Sequence, residues 1–173
     1  MTKRVFIAAL LGASVAFPLA ASAHITLEKQ EAKVGGGYKA VFRVPHGCAG
    51  SPTVAIHIQI PEGVINVKPQ PKAGWQVATV KGKYEKSYTL YGSTLTEGVK
   101  QVDFTGGNLP DDFYDEFVLN TTLAGDLPAD TTIYFPVVQD CTSGTDRWIE
   151  IPAAGKTAED YENPAPGLKL LEK

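Results

Sequence analysis

The sequence predicts an all-β chain folded as an antiparallel sandwich or barrel, and three observations carry this. Short runs alternate apolar and polar residues with period 2, as a strand with one buried face requires. The runs recur at intervals of about ten residues. Clusters of Gly, Pro, Asp and Asn separate them, and these residues supply the backbone conformations of turns.

Residues 24–28 alternate and open the domain. Gly35-Gly36-Gly37 follows as a turn that tolerates positive φ. The next strand places Tyr38, Ala40, Phe42 and Val44 on one face and Lys39, Val41 and Arg43 on the other. Pro45-His46-Gly47-Cys48-Ala49-Gly50-Ser51-Pro52 breaks it. Residues 53–60 resume, with Val54, Ile56, Ile58 and Ile60 on the apolar face, and Pro61-Glu62-Gly63 turns the chain. Further strands are expected over 64–68, 76–81, 86–91, 99–105, 116–122, 131–138 and 147–151. Only 111–115 and 157–161 suit a helical turn. The tail from about residue 153 is rich in Ala, Gly and Pro, and is expected to lie loosely on the surface or fray.

Residues 1–23 read as a secretory signal rather than as part of the fold. Lys3 and Arg4 form a positive n-region, 5–20 an apolar run broken by Gly12, Ser14 and Pro18, and Ala21-Ser22-Ala23 an A-x-A cleavage site. The small residues favour cleavage over a retained anchor. The expected mature domain is 24–173, long enough for one domain with a real core. Removing Lys3 and Arg4 takes the formal net charge from −3 to −5. With no basic stripe, nucleic acid is excluded as a partner. Residues 24–173 contain no apolar run of bilayer-spanning length, so no membrane anchor is expected in the mature chain.

The two cysteines, Cys48 and Cys141, are expected to form a disulfide, because an exported chain meets an oxidising compartment. The alternative is a thiolate metal pair, but cysteines so far apart carry no metal-ligand spacing. The one methionine, Met1, leaves with the signal.

Cleavage after Ala23 would make His24 the first residue. Its α-amine and imidazole Nδ1 then close a small chelate ring, two nitrogen ligands held on one residue. The bland alternative is a signal that happens to be cut before a histidine. Nitrogen donors suit Cu(II) or Ni(II), and Cu(II) tops the divalent affinity order. A blue-copper redox centre requires a free thiolate, which the disulfide removes. A structural zinc site requires four protein ligands, and no such cluster is visible.

His46 lies in the loop after the strand 38–44. If the strands flanking Gly35-Gly36-Gly37 pair, His46 is brought near His24; otherwise it is an ordinary loop histidine. His57, between Ile56 and Ile58, faces away from the aliphatic core and is expected to be a solvated strand histidine. Trp75 is expected to plug the core. Trp148 follows Cys141 across Ser143-Gly144-Thr145-Asp146, so a Cys48–Cys141 bridge would carry it toward His24, where an indole could shield a bound cation; its bland reading is a core tryptophan. Asp112 and Glu116, in an acidic loop entering a strand, could be paired carboxylates of a hydrolase. No nucleophile or cleft can be read beside them, and a solvated acidic loop is the simpler reading.

Taken together, these stretches resemble the YcnI-like copper-binding domains of bacteria. The matching residues are His24-Ile25-Thr26 after the signal, Gly37-Tyr38, Val44-Pro45, Ile60-Pro61-Glu62-Gly63-Val64, Lys68-Pro69, Gly74-Trp75, Asp115-Glu116-Phe117, Phe135-Pro136-Val137-Val138-Gln139 and Trp148-Ile149-Glu150. The resemblance implies an immunoglobulin or fibronectin-like β-sandwich holding Cu(II) through a one-histidine brace, with a glutamate assisting and Trp148 beside the metal. It implies no catalysis, but a copper-handling role alongside other periplasmic copper-transfer proteins. Many relatives carry a glutamate after the Val-Pro; here His46-Gly47-Cys48 stands there, and Glu116, Glu28 or His46 is left to substitute, Glu116 first. Relatives often carry a C-terminal anchor, absent here, which implies a chain free in the periplasm. The expected site is therefore His24, His46, Glu116 and Trp148. The competing expectations are a copper oxygenase with a two-histidine brace, His24 with His46 or His57, and a metal-free adhesion or assembly module.

Overall fold

The computed structural model describes residues 24–173; the expected signal segment lies outside the described residues. Among the described residues twelve strands form three sheets, the bulk of them in two facing layers. β1 (Thr26–Leu27), β3 (Gly37–Val44), β8 (Asp115–Leu123) and β5 (Val64–Pro69) make a four-stranded sheet in the order β1-β3-β8-β5. β4 (Thr53–Gln59), β6 (Gln76–Leu90), β7 (Ser93–Leu109), β10 (Val137–Cys141) and β11 (Thr145–Trp148) make a five-stranded antiparallel sheet in the order β11-β10-β4-β7-β6. β2 (Glu31–Lys33), β9 (Thr132–Tyr134) and β12 (Gly167–Leu171) form a small third sheet in the order β2-β12-β9.

The period-2 pattern buries most of the faces it assigns; Val54, at a bulge, is only half-buried, and Val41 on the opposite face is buried as well. Tyr38, Ala40, Phe42 and Val44 of β3, and Ile56 and Ile58 of β4, are all buried. Aromatic side chains from both sheets meet between them. Phe117 of β8 takes Phe104 of β7 edge-on at 5.1 Å and Trp75 at 4.9 Å, while Phe42 meets Phe135 at 5.5 Å. Such offset ring pairs contribute about 0.5–1.5 kcal/mol each beyond their buried area. Trp75 is thus a wedge over Phe117, as expected, and Gly107 makes room for it: a Cβ there would fall 2.1 Å from the indole.

Several boundaries differ from the sequence reading. Strands expected at 76–81 and 86–91 are one strand, β6, whose pairing with β7 shifts register between Val80 and Lys81 and between Lys83 and Tyr88. The hairpin turns at Tyr91-Gly92, between the paired Leu90 and Ser93. Both turn residues have positive φ, 50° and 80°, as the two-residue turn matched to strand twist demands. The run 131–138 is split into β9 and β10 at Pro136, which lacks the N–H needed to continue a ladder. Residues 111–115 make a hydrogen-bonded turn, Phe113 N–H to Pro110 O, in place of a helical one. The expected turn at 157–161 is present as a 3-10 turn over Ala158–Asp160.

The expectation of a loose tail is corrected for its last strand, while residues 153–160 are exposed. β12 runs parallel to β2 and antiparallel to β9, and Leu168 and Leu170 are fully buried in the core. Their spacing of two, with Lys169 exposed between them, is a strand pattern that the surrounding Ala, Gly and Pro obscure.

Candidate metal centre

β1 pairs antiparallel with β3, Thr26 opposite Arg43 and Leu27 opposite Phe42. This register directs the start of the domain, at His24, toward the end of β3, where Pro45 and His46 follow. β11 reaches the same end from the other sheet. The Cys48–Cys141 disulfide joins the loop after β3 to the end of β10, which pairs with β11. Trp148 closes β11 and is buried. The His24 ring lies edge-on to the Trp148 indole at 5.7 Å, and the His46 ring does the same at 6.3 Å. Two imidazoles thus stand on one buried indole.

The loop carrying His46 is tightly fixed. Cys48 and Ser51 exchange backbone hydrogen bonds of 3.0 and 2.9 Å, and Gly47 N–H donates to Asp111 Oδ1 at 2.9 Å. Gly47 must be glycine, since a Cβ would sit 2.0 Å from Ser51 O. His46 Nδ1 donates to Gly47 O. Metal-ligating histidines are oriented in this way, one ring N–H spent on a carbonyl.

Gln139 is the organiser that the sequence reading passed over. It is fully buried in β10. Its side-chain oxygen accepts from Trp148 Nε1 at 2.9 Å, and its amide donates to His46 O and to Thr53 Oγ1, both at 2.7 Å. One side chain therefore sets both the indole and the histidine loop. A polar residue at the inward position between Val137 and Cys141 was the available signal.

Glu116 is not brought to His24. On the four-stranded sheet Arg43 of β3 lies opposite both Thr26 of β1 and Glu116 of β8, so it stands between them. Glu116 accepts instead from the Tyr114 hydroxyl, whose ring lies under the Arg43 guanidinium at 5.8 Å. Burial and this hydrogen bond raise the Tyr114 hydroxyl above its ordinary pKa, against the opposing pull of Arg43. Asp112 stays exposed in its turn, and no hydrogen bond or ion pair joins it to Glu116. Among the described residues no three His, Cys, Asp or Glu side chains converge as a group that could hold a metal. Of the expected ligands, His24 and His46 are the two whose rings the fold brings onto one indole.

His57 departs from its expectation as a solvated side chain. It lies on the outward face of the five-stranded sheet with a carboxylate at each ring nitrogen, Nδ1 to Asp103 at 2.7 Å and Nε2 to Asp140 at 3.3 Å. Gln101 also donates to Asp103, at 2.7 Å. This clasp holds the ring on the far side of β4 from the core.

A cleft of about 490 Å³ opens beside His24. β1, Thr132 and Tyr134 of β9, Gly167 of β12, and the prolines at 152, 164 and 166 line it. Among the described residues no helix is long and apolar enough to cross a membrane. The disulfide is of the kind that persists in oxidising compartments.

A solved relative shares the architecture. The crystal structure of an uncharacterized protein from Nocardia farcinica, described as having an immunoglobulin-like fold, is 26% identical to this chain, with a TM-score of 0.61. The match covers 86% of this chain and 98% of that one. No curated protein matches the sequence. The family model for a domain of unknown function, DUF1775, matches residues 24–170, beginning at His24 itself; the chain therefore belongs to the DUF1775 family, the YcnI-like family.

Proposed function

We propose that the mature chain is an exported copper-binding protein that holds Cu(II) at its N-terminus and acts in copper handling in the periplasm as a metallochaperone or storage module. The observation that carries this reading is the placement of the His24 and His46 rings on the Trp148 indole, at 5.7 and 6.3 Å. Cleavage after Ala23 frees the α-amine of His24, so amine, His24 imidazole and His46 imidazole supply three nitrogen donors without a carboxylate. That set suits Cu(II) over harder cations. Glu116 is the less suited candidate, because Arg43 and Tyr114 already engage its surroundings.

The test is Cu(II) titration of three proteins: the mature chain beginning at His24, the same chain with one added residue before His24, and His24→Ala. Tight binding by the first alone is expected. A 100-fold excess of Cu(II) over Kd should add about 2.7 kcal/mol to its unfolding free energy. Unchanged affinity in both altered proteins sinks the proposal, and a mature chain whose melting temperature does not rise with copper favours a metal-free adhesion or assembly module.

The position of His46 also supports a second reading, a copper oxygenase with a two-histidine brace. Its partner would be His46, because His57 is clasped by Asp103 and Asp140 on another face. Electron paramagnetic resonance that counts two imidazoles, with oxidative turnover of a polysaccharide under reductant, would favour the enzyme. Two imidazoles without turnover leave the binding role.

A further inference from the structure

The cleft beside His24 has an apolar body and cationic side chains on its rim. Its volume of about 490 Å³ is that of a small-molecule site. Pro152, Pro164, Pro166 and Tyr134 line it with carbon. The segment that carries two of these prolines is tied on both sides: Ala165 N–H donates to Glu150 O at 2.8 Å, and Phe135 N–H donates to Pro166 O at 2.9 Å. Gly167 keeps the floor low, because a Cβ there would press on Thr132 and Tyr134, each at 3.1 Å. This part of the lining is therefore held by the backbone, as a preformed site requires.

The two ends of the cleft differ in charge. One wall follows the chain through His24, Thr26, Gln30 and Glu31. Lys169 N–H donates to Gln30 O at 2.8 Å, and Lys169 is the ladder partner of Glu31. Lys169 thus stands at the end of that wall away from His24. Lys156 is the second lysine of the lining, and Glu31 is its one carboxylate. Lys169 meets Glu31 at 3.6 Å and Lys156 meets Asp160 at 3.2 Å, with both lysine side chains more than half exposed. Exposed pairs of this kind contribute about 0–1 kcal/mol, so an incoming anion displaces them at small cost.

We propose that this cleft binds a small organic dicarboxylate. The lysines receive one carboxylate, the carbon chain lies on the prolines and Tyr134, and the second carboxylate is left at the His24 end. An inorganic anion would engage the lysines but leave the apolar walls unfilled. The second carboxylate has a use that rests on the copper reading. Cu(II) favours a tetragonal plane of four donors, of which the proposed amine and two imidazoles supply three nitrogens. The dicarboxylate oxygen completes the plane, so the ligand is a co-ligand of the cargo. Binding in the cleft itself requires no copper.

The test uses the mature chain beginning at His24, with glutarate as the ligand. In metal-free protein, nuclear magnetic resonance should show saturable shifts of the Tyr134, Gly167 and Lys169 amides. Lys169→Glu reverses one exposed charge and should weaken binding by about tenfold. Absence of saturable shifts, or the same shifts at equal affinity with inorganic phosphate, overturns the inference. In Cu(II)-loaded protein, electron–nuclear double resonance with glutarate isotopically labelled at its carboxyl carbons should show one carbon coupled to the copper. The coupling should vanish in Lys169→Glu at the same ligand concentration. A chain that binds both Cu(II) and glutarate without this coupling overturns the co-ligand role. A chain that binds glutarate but no Cu(II) sinks the copper reading and leaves the cleft assignment standing.

Discussion

Gln139 accepts a hydrogen bond from Trp148 Nε1 at 2.9 Å, and the same side chain donates to the carbonyl of His46 at 2.7 Å. The indole and the loop histidine are thereby held by one buried amide, which ties the five-stranded sheet to the loop leaving the four-stranded one. Removing either contact leaves a polar group short of a partner in a region closed to water.

Gln139→Leu tests this tie. The substitution keeps the bulk and strands the Trp148 N–H, the Thr53 hydroxyl and the His46 carbonyl. Each buried group left unpaired costs about 1–3 kcal/mol. The urea midpoint should fall while the slope stays constant, the mark of a change in stability alone. Cu(II) affinity should fall in the same variant, through looser His46 and Trp148, although Gln139 offers the metal nothing.

The disulfide spans 93 residues, so it constrains the unfolded chain strongly. Replacing both cysteines by serine is expected to cost up to about 4–5 kcal/mol. Denaturant unfolding should be sensitive to reductant in the natural chain and indifferent to it in the double variant. A variant as stable as the oxidised parent would show that the bridge does not constrain the unfolded ensemble.

The sheets and the end of the sandwich that gathers His24, His46 and Trp148 were largely legible in the sequence, for local reasons. Period-2 alternation in 38–44 and 53–60 fixes which faces are buried, and a pairing across the Gly35 turn follows from chain direction. What was not legible depends on partners distant in sequence. Leu168 and Leu170 form a strand only because β2 and β9 lie on either side. His57 is clasped because β4 sits between the strands that carry Asp103 and Asp140. Glu116 shared a motif with relatives, yet sheet order interposes Arg43 between β8 and β1. Order within a sheet is not written in any single strand.

Glu62 sets an acid limb on stability. Burial alone would raise its pKa. Hydrogen bonds from Lys100 at 2.8 Å, Tyr88 at 2.7 Å and the Glu85 N–H at 3.1 Å outweigh burial and hold the carboxyl below its ordinary value. The unfolded-state value is about 4.3. The stabilisation is therefore present above that pH and lost as the pH falls through the lower folded-state value. Tyr88 is shifted the other way, raised by burial first and then by its bond to Glu62, so its share is present below about pH 10 and lost as the pH rises. In Glu62→Gln, unfolding free energy measured from pH 6 down to pH 3 should vary less steeply than in the parent. An equally steep acid limb would remove Glu62 from the account.

Trp148 makes the site observable. Cu(II) is paramagnetic and quenches a nearby excited indole, and the His24 ring lies 5.7 Å from this one. Trp75, the second tryptophan, packs on Phe117 inside the sandwich. One equivalent of Cu(II) should therefore quench most of the Trp148 emission in Trp75→Phe and little of the Trp75 emission in Trp148→Phe. Zn(II), with a filled d shell, should quench neither. Circular dichroism of Trp148→Phe guards against misreading, because that variant also deprives Gln139 of its indole donor. With the fold intact, quenching that persists at full depth in Trp148→Phe would place the copper away from His24. Quenching in Trp75→Phe that vanishes when one residue is added before His24 would tie the metal to the freed amine.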